Sequence, residues 1–282
     1  MKKVYIAISA DILHQGHINV INEGSKYGDV IIGLLTDEAI ATYKRLPLLS
    51  FEERKIILSN IKGVVDVVEQ TTLDYTENLL KYKPDYVVHG DDWREGIQKV
   101  IRTKVIDTLS QWNGELIEVP YTKGISATNL EKQTRELINT PDNRRAKLRK
   151  LLNLKNTISV MEASNGLSGL IVENVKYEDY EKSTVKEFDA MWVSSLCDSS
   201  FKGKPDIELV DLSSRLRTIE EIMEVTTKPI ILDGDTGGKL EHFSYNVRTL
   251  ERLGVSAIII EDKTGLKQNS LFGRIQTQIT CP

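Results

Sequence analysis

Only two cysteines, Cys197 and Cys281, occur in the 282 residues. That excludes a disulfide framework and a cysteine-rich metal site, and it fits a reducing, cytoplasmic setting. Long apolar runs are missing as well. The basic start Met1-Lys2-Lys3 leads into a short hydrophobic stretch that Ser9, Asp11 and His14 interrupt, so neither a signal peptide nor a membrane span is expected. No charge of one sign is in large excess: the net charge is −4 and the isoelectric point about 5.7. The balance gives no general reason to expect nucleic-acid or membrane partners. Histidine is scarce, yet two of the four, His14 and His17, stand three apart around Gly16. The length allows one large or two modest domains with ample core, and two is the better fit.

Residues 4–8 read as a buried parallel strand, and Ile18, Val20, Ile21 and Tyr27 recur at roughly helical spacing. His14-Gln15-Gly16-His17 therefore falls at a strand-to-helix turn. A helix N-terminus offers unpaired N–H groups and the positive end of its dipole. Glycine lets an anion approach the backbone, and imidazole N–H groups donate to phosphoryl oxygens. Further strands are expected at 29–35, 64–68, 86–89 and 115–119, with helices at 38–43, 51–61, 77–82, 97–109 and 127–137. Such alternation implies a doubly wound parallel sheet that binds ligands at its carboxyl ends. Two more polar stretches follow strands: His89-Gly90-Asp91-Asp92-Trp93 and Tyr121-Thr122-Lys123-Gly124-Ile125-Ser126-Ala127-Thr128. In the second, Gly124 permits close approach, while Ser126 and Thr128 can cap and donate at a helix start.

His-x-Gly-His after an N-terminal strand, with Asp11 and Leu13 before it, resembles the signature of the cytidylyltransferases, a Rossmann-like branch of the nucleotidyltransferases. Residues 90–93 resemble the Gly-Asp-Asp-Trp segment of glycerol-3-phosphate cytidylyltransferase, and 121–128 its Arg-Thr-x-Gly-Ile-Ser-Thr-Thr segment. The resemblance covers nearly all of residues 1–135. It implies CTP as co-substrate with Mg²⁺, and His14, His17, Lys44 and Arg54 as catalytic groups around the phosphates. Ser9, Asp11, Gly16, Gly90, Asp91, Asp92, Gly124, Ile125, Ser126 and Thr128 would line the nucleotide. Three positions depart from the pattern: Tyr121 and Lys62 stand where arginine is expected, and Ala10 where an aromatic is usual. A phenol at Tyr121 lacks the planar fork that grips phosphate, so an acceptor other than glycerol phosphate is expected.

With residues 1–138 as the first domain, 139–156 read as a linker: a turn-rich Asn139-Thr140-Pro141-Asp142-Asn143 and a basic helix over 144–152. With no aromatics among its basic residues, that helix is expected to present a solvated face. A second strand-helix series fills 157–282, with strands at 158–161, 190–193, 229–232 and 257–260, each ending in polar residues. Polar residues at the carboxyl ends of successive parallel strands are what a (β/α)₈-barrel site supplies. Asp233 and Asp235 are two apart and would project to one side if the strand geometry persisted, suiting Mg²⁺.

The run from Glu261 to Ser270 resembles the active-site loop of phosphoenolpyruvate mutase, and Trp192, Ser194, Asp206, Asp233, Asp235, Glu261, Lys267 and Asn269 fall on that family's pattern. The resemblance implies that Asp233, Asp235 and Glu261 organise Mg²⁺ and that Ser194 binds phosphate or carboxylate. Asp206 with Lys267 and Asn269 would handle the migrating phosphoryl group. Together the halves resemble the fused cytidylyltransferase–mutase proteins of phosphonate biosynthesis. The implied substrate is a small phosphonate, 2-hydroxyethylphosphonate for example, or a phosphate monoester. A full barrel needs eight units and about 250 residues, so a partial, half-length barrel without mutase activity of its own is expected. Its last strand would carry an unpaired edge to be capped by a partner chain, by dimerisation or by the tail, or else left partly disordered, and a homo-oligomer, dimer or higher, is expected. Two other readings stand beside the working nucleotidyltransferase: a non-catalytic nucleotide- or phosphonate-binding scaffold, and a mutase active only with the missing half. The intact His14-x-Gly-His17 favours the enzyme.

Overall fold

Strand β1 (Lys3–Ile8) buries Val4, Tyr5 and Ile6 completely, as a strand covered by helices on both faces must. The computed structural model describes residues 2–120, 134, 137, 139–262, 267 and 268, in two units: Met1–Arg135 with Tyr177–Lys186, and Glu136–Lys176 with Glu187–Pro282. In the first unit β1 is followed by α1 (Gln15–Gly24), β2 (Asp29–Leu35), α2 (Asp37–Ala41), α3 (Phe51–Ser59) and β3 (Val64–Gln70). Then come α4 (Thr76–Tyr82), β4 (Tyr86–Gly90), α5 (Lys99–Leu109) and β5 (Glu115–Val119). All neighbouring strands are parallel, in the order β3-β2-β1-β4-β5. The expected doubly wound sheet is therefore present. Its order reverses between β1 and β4, and a crevice opens at the carboxyl ends on either side of such a point. The turn at 14–17 and the segment at 90–92 both leave the sheet there.

Alternation along β1 divides the core. Val4 and Ile6 pack with Ile21 of α1 and Leu58 of α3, while Tyr5 and Ala7 pack with Leu79 of α4 and Val105 and Leu109 of α5. Each valine, leucine or isoleucine among them contributes about 1.5–3 kcal/mol when fully buried. The Tyr5 hydroxyl donates to Gln70 Oε1 at 2.5 Å and accepts from Asn78 Nδ2 at 2.8 Å, joining β1, β3 and α4. It lies over Gly33 of β2, where a Cβ would come within 1.9 Å of the phenol oxygen.

The second unit contains α6 (Pro141–Leu154), β6 (Val160–Glu162) and α7 (Gly166–Asn174). A hairpin of β7 (Lys176–Asp179) and β8 (Thr184–Glu187) follows, then β9 (Ala190–Val193), α8 (Ser195–Phe201), α9 (Leu212–Met223), β10 (Ile230–Asp233), α10 (Leu240–Leu253) and β11 (Ala257–Ile259). Strands β6, β9, β10 and β11 form one parallel sheet in sequential order, the order in which barrel strands follow one another. Met191, Ile219, Ile222, Ile230, Leu232 and Leu250 are its core. Among the described residues no helix is long and apolar enough to cross a membrane.

Two elements differ from the sequence reading. Helix α6 is not a solvated basic face throughout: Arg144 is buried with Leu148 and Leu151, and its Nη1 donates to the Lys228 carbonyl at 3.0 Å. Burial lowers its pKa to about 10, because removing water disfavours the charged form. The β7–β8 hairpin is also new, and its residues Tyr177–Lys186 belong to the first unit. Val185 packs against the core around Tyr5, and its N–H donates to the Thr42 carbonyl at 3.0 Å.

Candidate active site

His14 takes the N-cap position of α1 in an extended conformation and forms a capping box with His17. Its Nδ1 accepts the Gly16 N–H at 3.1 Å, while His17 Nδ1 accepts the His14 N–H at 3.4 Å. A backbone N–H can only donate, so both Nδ1 atoms carry lone pairs and each neutral ring holds its proton on Nε2. The rings lie 4.0 Å apart between centroids. Burial first, and then the proximity of His14 and of the Lys44 ammonium, lower the His17 pKa to about 3. His17 is thus a neutral donor near pH 7. Lys44, on the turn after α2, is close enough to exert that effect, so the structure brings three of the four expected catalytic residues together.

Arg54 is placed differently. It is fully buried, and its guanidinium donates to the carbonyls of Leu49 (3.3 Å), Ser9 (2.5 Å) and Leu35 (2.9 Å) and to Asp37 Oδ1 (2.5 Å). A buried guanidinium must satisfy its donors in this way. Expected on the outer phosphates, it instead ties the carboxyl ends of β1 and β2 to α3. Asp11, expected against the nucleotide, is also buried and accepts the N–H groups of Leu48 at 2.6 Å and Leu49 at 3.1 Å. Ser9 enters through the carbonyl that Arg54 grips. These three hold the frame of the turn.

Across the crevice, Gly90 ends β4 and Asp91 and Asp92 begin a 3₁₀ turn, Asp91–Arg94. The His89 ring stacks on Trp93 at 3.8 Å, with Nδ1 donating to the Gly90 carbonyl at 2.8 Å. Burial lowers the His89 pKa. Trp93 Nε1 donates to Glu118 at 2.9 Å, and Arg102 with Arg94 hold Glu118 well below the usual carboxylate range. Sequence reasoning did not single out His89 or Glu118; no spacing signal marks a stacked ring or a charge that meets its partners only across the fold. Gly124, Ile125, Ser126 and Thr128 lie outside the described residues, as does Asn269.

At the carboxyl ends of the second sheet, Lys267 Nζ donates to Asp206 Oδ1 and to Ser195 Oγ, both at 2.9 Å, and also to Asp235. Ser195 Oγ donates to Asp233 at 2.8 Å, and Arg215 Nη1 to Asp235 at 2.9 Å. Asp206, Asp233, Asp235 and Lys267 therefore come together in one ion-paired cluster. Ser195, noted in the sequence only as a polar strand end, and Arg215 complete the cluster. Ser194 is buried and caps α8, its Oγ accepting the Cys197 N–H at 3.0 Å. Half-buried Trp192 lies in β9 beside Glu162 of β6.

The metal arrangement expected from Asp233, Asp235 and Glu261 is not found. Strand β10 stops at Asp233, and Asp235 has φ +53°, in the left-handed region, so the alternation that would align the carboxylates is broken. Lys267 and Arg215 occupy the Asp235 carboxylate. Among the described residues no group of three His, Cys, Asp or Glu side chains could hold a metal ion. As arranged, this donor set does not fit a divalent cation.

A doubly wound parallel sheet with paired imidazoles at the helix start after β1 is the arrangement of a nucleotidyltransferase-type domain. The chain belongs to the cytidylyltransferase-like family, which matches residues 9–162, and residues 148–280 match the phosphoenolpyruvate phosphomutase family. It thus joins a cytidylyltransferase-like domain to a mutase-like one. Glycerol-3-phosphate cytidylyltransferase of Bacillus spizizenii is 32% identical over 139 residues, 49% of this chain and 100% of that protein. Phosphoenolpyruvate phosphomutase of Tetrahymena pyriformis is 34% identical over 131 residues, 44% of this chain and 40% of that protein. A solved phosphoenolpyruvate phosphomutase from Streptomyces platensis subsp. rosaceus is 28% identical with a TM-score of 0.41, covering 48% of this chain and 44% of that one. The chain spans less than half the length of these mutases.

Proposed function

We propose that the first unit transfers CMP from CTP to a small phosphonate or phosphate monoester and releases pyrophosphate. The observation that supports this most is the reciprocal cap of His14 and His17, which sets two Nε2–H donors at the start of α1 beside Lys44. An acceptor phosphonate or phosphate oxygen is already anionic at neutral pH, so it attacks the α-phosphorus without a dedicated base. The new P–O bond forms as the bond to pyrophosphate breaks, and positioning with charge neutralisation supplies the catalysis. The two imidazoles donate to oxygens whose charge grows, and Lys44 and the α1 dipole oppose that charge. Arg54 and Asp11 keep the turn in place. In this reading Mg²⁺ is the counter-ion of the triphosphate, not an ion held by the described side chains. The mutase-like half and Tyr121 favour a phosphonate acceptor over glycerol phosphate.

The test is pyrophosphate release from CTP with a panel of phosphonates and phosphate monoesters, repeated with ATP. Release that depends on one acceptor class and on CTP is the expected result. Nucleotide binding without release from any acceptor would favour a scaffold instead, and equal use of ATP would remove the cytidine assignment.

A further inference from the structure

We propose that the hairpin segment Tyr177–Lys186 is a positioning element of the transferase site, holding the turn that carries Lys44 through Val185. Helix α2 has five residues, far too few to be stable alone, and its last carbonyls need partners. Inside the turn, Thr42 Oγ1 donates to the Ala39 carbonyl at 2.7 Å, and the Lys44 N–H donates to the Ile40 carbonyl at 2.9 Å. The Thr42 carbonyl is satisfied from outside, by the Val185 N–H at 3.0 Å. The Val185 side chain packs against the same core that buries the Tyr43 ring, and Lys44 Nζ stands 5.7 Å from the centre of that ring. Lys44 is therefore rooted on both sides: by the ring beneath it and by the carbonyl two residues before it. Within the hairpin's turn Ser183 is buried with φ +51°.

The position of this segment in the chain gives the contact its meaning. Residues 177–186 lie outside the 9–162 cytidylyltransferase-like match and inside the 148–280 mutase match. The first unit thus draws part of its site support from the mutase-like stretch, and the transferase relatives do not supply that part within the matched region. The role given to Lys44 rests on the function proposed above; the mechanical role of Val185 does not.

The full chain is compared with three variants: Val185→Pro, which removes the donor; Val185→Ala, which keeps it; and replacement of 177–186 by a short Gly-Ser loop. Amide exchange at Thr42, Tyr43 and Lys44 is read against that of β1 and β2, and KM for CTP against kcat. Val185→Pro and the loop replacement should speed exchange at 42–44 about fivefold or more, the order carried by one net hydrogen bond, while β1 and β2 stay protected. kcat should fall by a similar factor with a smaller change in KM for CTP, since Lys44 acts on charge that grows in the transition state, and Val185→Ala should stay near wild type in both. Unchanged exchange at 42–44 with the hairpin replaced would overturn the proposal. So would exchange raised equally in β1 and β2 in Val185→Pro, which would make the hairpin a stability element only. If the wild-type chain releases no pyrophosphate, the function proposal fails, and the exchange pattern still decides this one.

Discussion

His17 Nδ1 accepts the His14 N–H while His14 Nδ1 accepts the Gly16 N–H, so one arrangement caps the helix and fixes both imidazole tautomers. A capping role and a catalytic role are merged in the same two rings, and they separate on substitution.

His14→Asn retains an oxygen that can accept the Gly16 N–H, so the fold should lose a few tenths of a kcal/mol at most. Turnover should fall by the equivalent of about 3–4 kcal/mol, the usual effect of deleting a donor to developing charge. His17→Ala should lose as much turnover and in addition about 1 kcal/mol of helix stability. Steady-state pyrophosphate release and urea unfolding separate the two effects, and near-normal turnover in either variant would remove this turn as the catalytic site.

The depressed His17 pKa makes stability depend on pH. The folded value lies near 3 against an ordinary 6.5, so between these the unfolded chain binds more protons. The contribution of neutral His17 is complete above about pH 6.5 and is lost as pH falls toward 3, by up to about 1.4 kcal/mol per pH unit. Urea midpoints at pH 7, 6 and 5 should fall for the wild type and fall less for His17→Gln. Parallel slopes would show that His17 titrates normally.

Arg54→Met would strand the carbonyls of Ser9, Leu35 and Leu49 and leave Asp37 without its ion-pair partner. The expected loss is about 3–5 kcal/mol of stability. Arg54→Lys should recover little, since one ammonium cannot reach four acceptors in a fixed fork. A variant that unfolds at the wild-type urea concentration would contradict the staple role.

Lys267→Met would leave Asp206 and Asp235 facing each other with Arg215 as the remaining cation on Asp235. Burial raises the pKa of Asp235 even with Lys267 present, so the variant should take up a proton there or loosen. Urea midpoints should therefore fall for the variant, and fall most at high pH, where Asp235 must give that proton up. A variant as stable as the wild type at every pH would mean that Lys267 does not organise this cluster.

The five strands of the first unit are legible in the sequence because each is a short run rich in apolar residues between polar flanks, and the observed ends lie within two residues of those expected. The His14–His17 turn is legible because strand, glycine and helix periodicity coincide there. Arg54 is legible as a charge only: which carbonyls surround it is decided by β1, β2 and α3 packing together. Asp235 misleads because its left-handed φ belongs to the loop and not to the strand before it. The hairpin escapes notice because Lys176-Tyr177-Glu178-Asp179-Tyr180-Glu181-Lys182 is mostly charged and shows no apolar alternation. Arg144 hides in a basic run, where nothing in the spacing separates the one buried arginine from its solvated neighbours.

The Tyr5 hydroxyl over Gly33 constrains how this fold can diverge. A methyl group at Gly33 and the phenol oxygen of Tyr5 cannot share one space, and Gln70 and Asn78 both bond that oxygen. Removing the hydroxyl makes room for alanine and costs Gln70 and Asn78 one hydrogen bond each, while both keep their bonds to each other and to nearby carbonyls. Keeping it forbids any side chain at position 33. Tyr5 and Gly33, 28 positions apart in the chain, are thereby obliged to change in concert.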